Sequence, residues 1–410
     1  MKKTILSFFI LFSISIFAQR TCHTNEKMQE MINTVPGFYE HHEETMEFIR
    51  NGNQGEAIFN RPNAPAVVVT IPVVFHVLYK NTTQNISEAQ ILSQLTVLNN
   101  DFRKLNSDFN SVVPAAFQSL GADVEIAFCK ATRTPTGAAT TGITRKSVPN
   151  SFDLENNYYT SSGEPSWDTT KYLNVWIGAF NDPSLLGFAW LPGAAGQPKD
   201  GLCISYDAFG TNGTASAPFN KGRTATHEIG HYFGLDHPWG NGGCPSSDGV
   251  ADTPATDDAY YNCPSYPNNS NACTTTATGS MFMNYMDYVN DACMAFFTNG
   301  QKTVMQNTIA GPRASLLTSN GCATLGLNEF ESANAIAVYP NPVSQYFMIT
   351  SPQLDIDEVE IFNNAGQLVK TQKLTEVNNR INIDEFPSGV YYLRIYSDGN
   401  FVKSDKVVKK

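Results

Sequence analysis

The amino-acid sequence predicts an α/β (α+β) domain followed by a small all-β sandwich. Three observations carry this. Apolar, β-rich runs at Ile71–Tyr79, Leu173–Phe180, Leu186–Pro192 and Asp200–Tyr206 are interleaved with a helical pattern, the order expected of a sheet that carries helices. Residues 221–240 place histidines at helical spacing. From Val338 onward every strand signal is short and bounded by turn formers. The composition agrees: 410 residues, 41% hydrophobic and only 16% charged, exclude a disordered chain. The net charge of −11, with no cluster of Lys or Arg, argues against nucleic acid or an anionic membrane as partner. Eight cysteines are too few for a disulfide-built miniprotein, so the fold rests on its cores.

Taken from the N-terminus, two lysines precede an apolar run from Ile5 to Ala18, the layout of a secretory signal peptide over residues 1–18. The run is short for a membrane span and no other stretch could cross a bilayer, so no transmembrane anchor is expected. Ser87–Asn106 reads as a helix, with Ser87 and Gln90 as a capping box and Ile91, Leu92, Leu95, Val97 and Leu98 as its apolar positions.

The chemistry concentrates in KGRTATHEIGHYFGLDHPWG at 221–240. His227 and His231, four residues apart, project from one helix face about a turn from each other, which is what two ligands of one metal need. Gly234 can end the helix in a left-handed conformation and turn the chain, bringing His237 back as a third ligand. Three protein ligands leave one Zn²⁺ position for water, the catalytic rather than the structural arrangement. Glu228 is placed to take that water's proton. The remaining histidines (His23, His41, His42 and His76) show no comparable spacing and read as structural or exposed.

The extended HExxHxxGxxH pattern is similar to that of the metzincin metallopeptidases, and FMNYMDY at Phe282–Tyr288 resembles their methionine turn. The resemblance makes Met286 the apolar floor beneath the imidazoles and Tyr288 a phenol that assists the reaction. Over residues 63–322 the apolar runs named above and the spacing after the histidines resemble the small bacterial and archaeal members of the pappalysin family. That likeness implies a mixed, twisted sheet with the zinc-binding helix packed on it. It also implies that Gly187, Phe188, Ala189 and Trp190 form a sheet edge above the cleft, where an extended peptide substrate adds as one more strand. Arg-preferring relatives keep an acidic residue low in the pocket for the side chain after the scissile bond. Asp291 stands near that place, and whether it or Ala292 faces the pocket is open.

Cys244, Cys263, Cys273 and Cys293 bracket a loop-rich stretch that gains from cross-links, and four cysteines allow three pairings. The family resemblance favours Cys244–Cys273 and Cys263–Cys293. The same loop carries Asp248, Asp252, Thr253, Asp257 and Asp258; hard oxygen ligands can hold Ca²⁺, and by resemblance Asp248 and Thr253 match calcium positions. Cys22, in an RxC context similar to that of the small pappalysins, can lie on the zinc as a thiolate and keep the enzyme latent. A disulfide from Cys22 to Cys129, Cys203 or Cys322 is the competing reading. Residues 19–62 therefore read as a pro-segment, with Arg50–Gly55 and the RPN at 61–63 as plausible cleavage surroundings.

After Cys322 a small, polar stretch at 323–335 reads as a linker. The last domain, 336–410, has strand signals at Gln345–Ile349, Glu358–Phe362, Gln367–Thr371, Arg380–Ile383, Val390–Ile395 and Phe401–Val408. YPNP at 339–342, EIFNNAGQLV at 360–369, PSGVYYLRI at 387–395 and the terminal KVVKK resemble the sorting domain of the type IX secretion system. That resemblance implies a Gram-negative bacterium of the Bacteroidota, periplasmic transit, and release outside the cell or retention at the outer membrane, with the secretion machinery as partner. The expectation is a secreted, monomeric zinc endopeptidase made as a zymogen and acting on protein or peptide substrates. The alternative is a catalytically inactive, zinc-binding surface adhesin.

Overall fold

The computed structural model describes residues 20–59, 67–323, 336–351, 355–375, 380–397 and 400–410. The export signal expected at 1–18, the RPN stretch and linker residues 324–335 lie outside these ranges. The chain divides into two compact units at Ala323. No helix among the described residues is long and apolar enough to cross a membrane.

A seven-stranded sheet organises the larger unit, in the order β1 (Thr21–Cys22), β6 (Leu185–Ala189), β7 (Leu202–Ser205), β5 (Leu173–Gly178), β2 (Val69–Tyr79) and β3 (Ile126–Lys130), with β4 (Ile143–Ser147) also on β2. β2 pairs in parallel with β3, β4 and β5, and β5 with β7. β6 runs antiparallel to β7, which makes the sheet mixed. β2 is buried along Ile71–Leu78, as its unbroken apolar run requires of a strand covered on both faces.

Three helices precede β2: α1 (Thr24–Thr34), α2 (Phe38–Asn51) and α3 (Gln54–Phe59). Further along the chain come α4 (Glu88–Phe102), α5 (Arg223–Tyr232) and α6 (Asn299–Ala310). The start of α4 is capped as the sequence predicts, Ser87 Oγ accepting the Gln90 amide at 3.1 Å. The reciprocal half of the box is absent, because the Gln90 side chain instead donates to the carbonyls of Tyr206 and Phe209 and ties α4 to the chain after β7. The helix also stops at Phe102 rather than Asn106, with Lys104 at positive φ. One core joins Ile71, Val73 and Phe75 of β2 to Ile91 and Leu98 of α4 and Ile229 of α5. Met46, Ile49 and Phe59 of the N-terminal helices belong to the same core. Asn307 of α6 binds these helices polarly, donating to the Ile49 and Gly52 carbonyls and accepting the Gly55 amide. At the far end of α5 the buried pair Arg313–Asp200 is bidentate, and Arg313 Nε donates to the Tyr232 carbonyl.

The smaller unit has two antiparallel sheets, β8 (Ala337–Tyr339), β9 (Tyr346–Thr350) and β12 (Arg380–Asn382) in one, β10 (Glu358–Phe362), β11 (Leu368–Lys373), β13 (Gly389–Ser397) and β14 (Asn400–Lys409) in the other. Alternate residues such as Phe347, Ile349, Val359, Ile361, Leu393 and Ile395 form its core. The six strand signals are all present; β8 is additional.

His76 sits in the sheet with no exposure, Nε2 2.9 Å from Asn174 Oδ1 and Nδ1 2.8 Å from the Thr144 hydroxyl. The Asn174 amide donates to the carbonyls of Trp167 and Tyr172, so its oxygen is the acceptor and the ring is a neutral Nε2–H tautomer. Burial lowers its pKa to about 4. A histidine whose folded pKa lies below the unfolded value binds fewer protons when folded, so stability falls as pH drops from about 6.5 towards 4, by about 3 kcal/mol at the lower end. Urea unfolding of the full chain across that range should show this loss, and His76→Gln should flatten it.

Candidate active site

α5 is buried from end to end. Gly234 follows it at φ +92, and a Cβ there would lie 2.9 Å from Thr308 Oγ1, so only glycine makes this turn. The turn presents the Leu235 carbonyl to His231 Nδ1 at 2.7 Å and returns His237 to the helix face. On the other side the Tyr285 carbonyl takes His227 Nδ1 at 2.8 Å. With Nδ1 of both rings donating, their Nε2 atoms carry lone pairs. The three Nε2 atoms of His227, His231 and His237 nevertheless stand 3.0, 3.2 and 3.3 Å from one another. Burial, with the charge the other rings would carry, keeps His227 and His237 far below their ordinary pKa, and burial alone brings His231 to about 4. Neutral nitrogens at that spacing fit a Zn²⁺ ion, whose tetrahedral nitrogen ligands at 2.0–2.1 Å lie about 3.3 Å apart.

Met286 is fully buried beneath α5, and a Cβ at Gly230 would come within 2.4 Å of its sulfur, so Gly230 is what lets the methionine seat against the helix. Tyr288 has its ring 5.6 Å from that of His227 and 5.0 Å from that of His237. Its hydroxyl donates to the Cys22 carbonyl at 3.3 Å.

Cys22 Sγ completes the cluster: it and one nitrogen of each of the three histidines lie within 4.8 Å of one another. Among the described residues no other such group of three or more His, Cys, Asp or Glu forms. Cys22 is free: Cys129 pairs with Cys322, and Cys203 is also unpaired. The thiol comes within 3.3 Å of Glu228 Oε2, and burial, then the neighbouring Glu228, push its pKa up. A nearby dication inverts that effect and favours the thiolate. Burial also raises Glu228 to about 8.

The strand β1 that delivers Cys22 is bonded parallel to β6, Thr21 opposite Leu185 and Cys22 opposite Gly187. Of the four edge residues named from the sequence, Gly187 and Ala189 offer their backbone: the Gly187 carbonyl accepts the His23 amide, and the Ala189 amide donates to Thr24 Oγ1. Phe188 instead packs against Tyr158, and Trp190 donates its indole N–H to the Tyr158 hydroxyl. A Cβ at Gly187 would stand 2.9 Å from Glu228 Oε1, so the strand can pass over the carboxylate only because this residue is glycine.

Two residues upstream, Arg20 is 1% exposed and binds Asp291, Nη2 to Oδ1 at 2.5 Å, with its guanidinium over the Phe219 ring. Asp291 is thus the buried member of the pair, while Ala292 is exposed. The other oxygen of Asp291 is fixed by the amides of Lys221 and Arg223. The pairing of Arg20 with Asp291 crosses 271 residues and has no signal in the sequence beyond the RxC context.

Cys244 is joined to Cys273 and Cys263 to Cys293. The acidic residues of that loop do not converge. Thr253 Oγ1 donates to both oxygens of Asp248, Asp252 accepts from Thr298 and the Gly300 amide at the start of α6, Asp257 accepts the Cys244 amide, and Asp258 the Ala259 amide. Their carboxylates are occupied in closing turns and capping a helix, and nothing in this arrangement points to Ca²⁺.

A zinc-type histidine triad on a helix and turn, floored by a buried methionine and set under a mixed sheet, defines a metzincin-type metallopeptidase. The family described as pregnancy-associated plasma protein-A matches residues 158–310, and the secretion system C-terminal sorting domain matches residues 337–410. An extracellular metalloprotease of Arthroderma benhamiae is 30% identical over 57% of this chain and 74% of its own. Mature mirolysin of Tannerella forsythia in complex with a cleaved peptide is 44% identical, with a TM-score of 0.59 over 62% of this chain and 97% of that one. A promirolysin mutant from the same organism is 40% identical, with a TM-score of 0.65 over 73% and 97%. The chain belongs to the pappalysin family of metalloendopeptidases. It is a secreted protein with a C-terminal sorting domain.

Proposed function

We propose that the chain is exported as a latent zinc endopeptidase whose own N-terminal strand fills the cleft, and that it cleaves before basic side chains. One observation carries the reading: β1 places Cys22 on the three histidines and Arg20 on Asp291. On this reading residues 1–18 are the export signal, 19–62 the pro-segment, 63–322 the catalytic domain, 323–335 a linker and 336–410 the part read by the type IX secretion machinery.

Zn²⁺, when held by His227, His231 and His237, supplies a Lewis acid and brings water's pKa towards about 7. Glu228 takes the proton of the attacking water and passes it to the leaving amine; burial opposes its ionised form, and a dication on the three histidines would favour it. The Tyr288 hydroxyl, which donates to the Cys22 carbonyl in the latent chain, turns to the oxyanion of the substrate carbonyl once β1 has left. The backbone of Gly187 and Ala189 then binds substrate along the sheet edge. Asp291, anchored by two amides, receives the side chain that follows the scissile bond. No observation favours an inactive adhesin, since every position this chemistry needs is filled.

Glu228→Ala should keep its zinc by elemental analysis yet lose casein cleavage by about 10³-fold or more; wild-type cleavage by this variant would refute the assignment. For latency, Cys22→Ser in the unprocessed full chain should hydrolyse a reporter peptide at least about tenfold faster than the unprocessed wild type, and equal rates count against the switch. For specificity, cleavage-site profiling of the activated enzyme on a peptide library should show Arg or Lys after the scissile bond. Asp291→Asn should reduce kcat/KM for those peptides by about 10²-fold, and an unchanged preference would remove Asp291 from the pocket.

A further inference from the structure

His227 and His231 each have a carbonyl on Nδ1. His237 does not: its Nδ1 is buried and has no hydrogen-bond partner among the described residues. Histidines that hold metals almost always donate this second nitrogen to a carboxylate, carbonyl or water, which fixes the ring's rotation about its last side-chain bond. The ring of His237 is fixed in another way. The indole of Trp239 lies over it with centroids 4.5 Å apart and planes 6° from parallel. Tyr288 closes the edges of both rings, 5.0 Å from His237 at 80° and 4.9 Å from Trp239 at 76°.

The backbone is shaped to make this stack. Pro238 separates the two aromatic residues, and the Gly240 amide returns to the His237 carbonyl at 2.8 Å, closing a turn over His237–Gly240. Gly240 has φ +56, and a Cβ there would lie 2.4 Å from Ser246 Oγ and 2.7 Å from the Ser247 carbonyl, so the turn needs glycine. The Pro238 carbonyl accepts the Thr256 amide, which pins the outer side of the turn.

We infer that Trp239 is the positioning residue of His237, holding that imidazole in its ligating orientation by face-to-face stacking where the other two rings use hydrogen bonds. The inference rests on the reading that these histidines hold zinc. The chemistry of the pair suits the task. An imidazole bound to a dication is drained of electron density, and the face of an indole, the most electron-rich of the aromatic side chains, attracts such a ring. The stack therefore strengthens when the metal binds, which a purely steric wall would not do.

The test uses the full chain with Trp239→Phe and Trp239→Leu. Phenylalanine keeps a weaker aromatic face; leucine keeps apolar bulk and has none. Zinc affinity, measured by competition with a chromogenic chelator, should fall in the order Trp, Phe, Leu, with the leucine variant at least about tenfold weaker than wild type. The visible d–d bands of the cobalt-substituted protein should shift in the same order, because they report the orientation of the ligand field. Wild-type zinc affinity and an unchanged cobalt spectrum in Trp239→Leu would overturn the inference. If that variant does not fold, wild-type values for both readouts in Trp239→Phe would overturn it. Absence of stoichiometric zinc in the wild-type chain is a different failure, that of the zinc reading itself.

Discussion

The interaction on which the structure depends is the convergence of three imidazole nitrogens on one point. Two of them carry lone pairs by virtue of their Nδ1–H bonds, so at most one proton could lie among the three, and water is excluded by burial. Such a constellation is unfavourable unless a cation stands at its centre, and the surrounding architecture holds it against that cost. α5 spaces two rings by one turn, Gly234 returns the third, and the carbonyls of Tyr285 and Leu235 set two of the ring orientations. Met286 fills the volume beneath, which Gly230 leaves open by having no side chain. A larger residue at any of these glycines would move a ligand rather than simply crowd a surface.

The start of α5 is held by charge as much as by packing. Arg223 is 5% exposed and contacts Asp101 and Asp108, and its guanidinium also reaches the Met294 carbonyl. Its own amide, with that of Lys221, points at Asp291. The helix that carries the histidines thus also orients the carboxylate that binds Arg20, and the two halves of the cleft cannot shift independently. A buried ion pair of this kind is weak evidence for stability, since desolvation offsets most of its attraction. Its worth here is geometric: breaking it would leave a buried charge unpaired at the start of the helix that carries His227 and His231.

How much of this the sequence disclosed follows from the distance over which each feature is determined. The helix and turn were legible because spacing within eleven residues specifies them: His227, His231, Gly234 and His237 encode the geometry locally. The short strands of 336–410 were legible because turn formers bracket each one. The Ser87–Gln90 capping box was half right, since the amide contact is local but the fate of the Gln90 side chain is decided by a loop more than a hundred residues away. Asp291 and Ala292 could not be separated, because which of two neighbours faces a pocket depends on the short 3₁₀ turn at Asp291–Cys293 and on the amides of α5. The pairing of Cys129 with Cys322, separated by 193 residues, has no local signal at all, and Cys22 and Cys203 both stay free. Trp239 carries no signal in the sequence, because an aromatic close after a histidine is ordinary until the turn at Gly240 folds one ring over the other.

The N-terminal segment divides its work between two kinds of contact. β1 is only two residues long, and its hold on the cleft resides in Arg20, Cys22 and a few backbone bonds. α2 and α3, by contrast, place Met46, Ile49 and Phe59 in the core shared with α5, and α2 adds an ion pair from Arg50 to Asp236, the residue before His237. Fully buried side chains of this size each contribute about 1.5–3 kcal/mol relative to exposure, so the helices fix the segment in place far more firmly than the strand could. With that anchor made, the strand binds intramolecularly, at an effective concentration on the order of millimolar or above for a connection this short. On the zymogen reading proposed above, the polypeptide between α3 and β2 is what would make inhibition intramolecular; severing it would turn the same contacts into a bimolecular complex that dilution can dissolve.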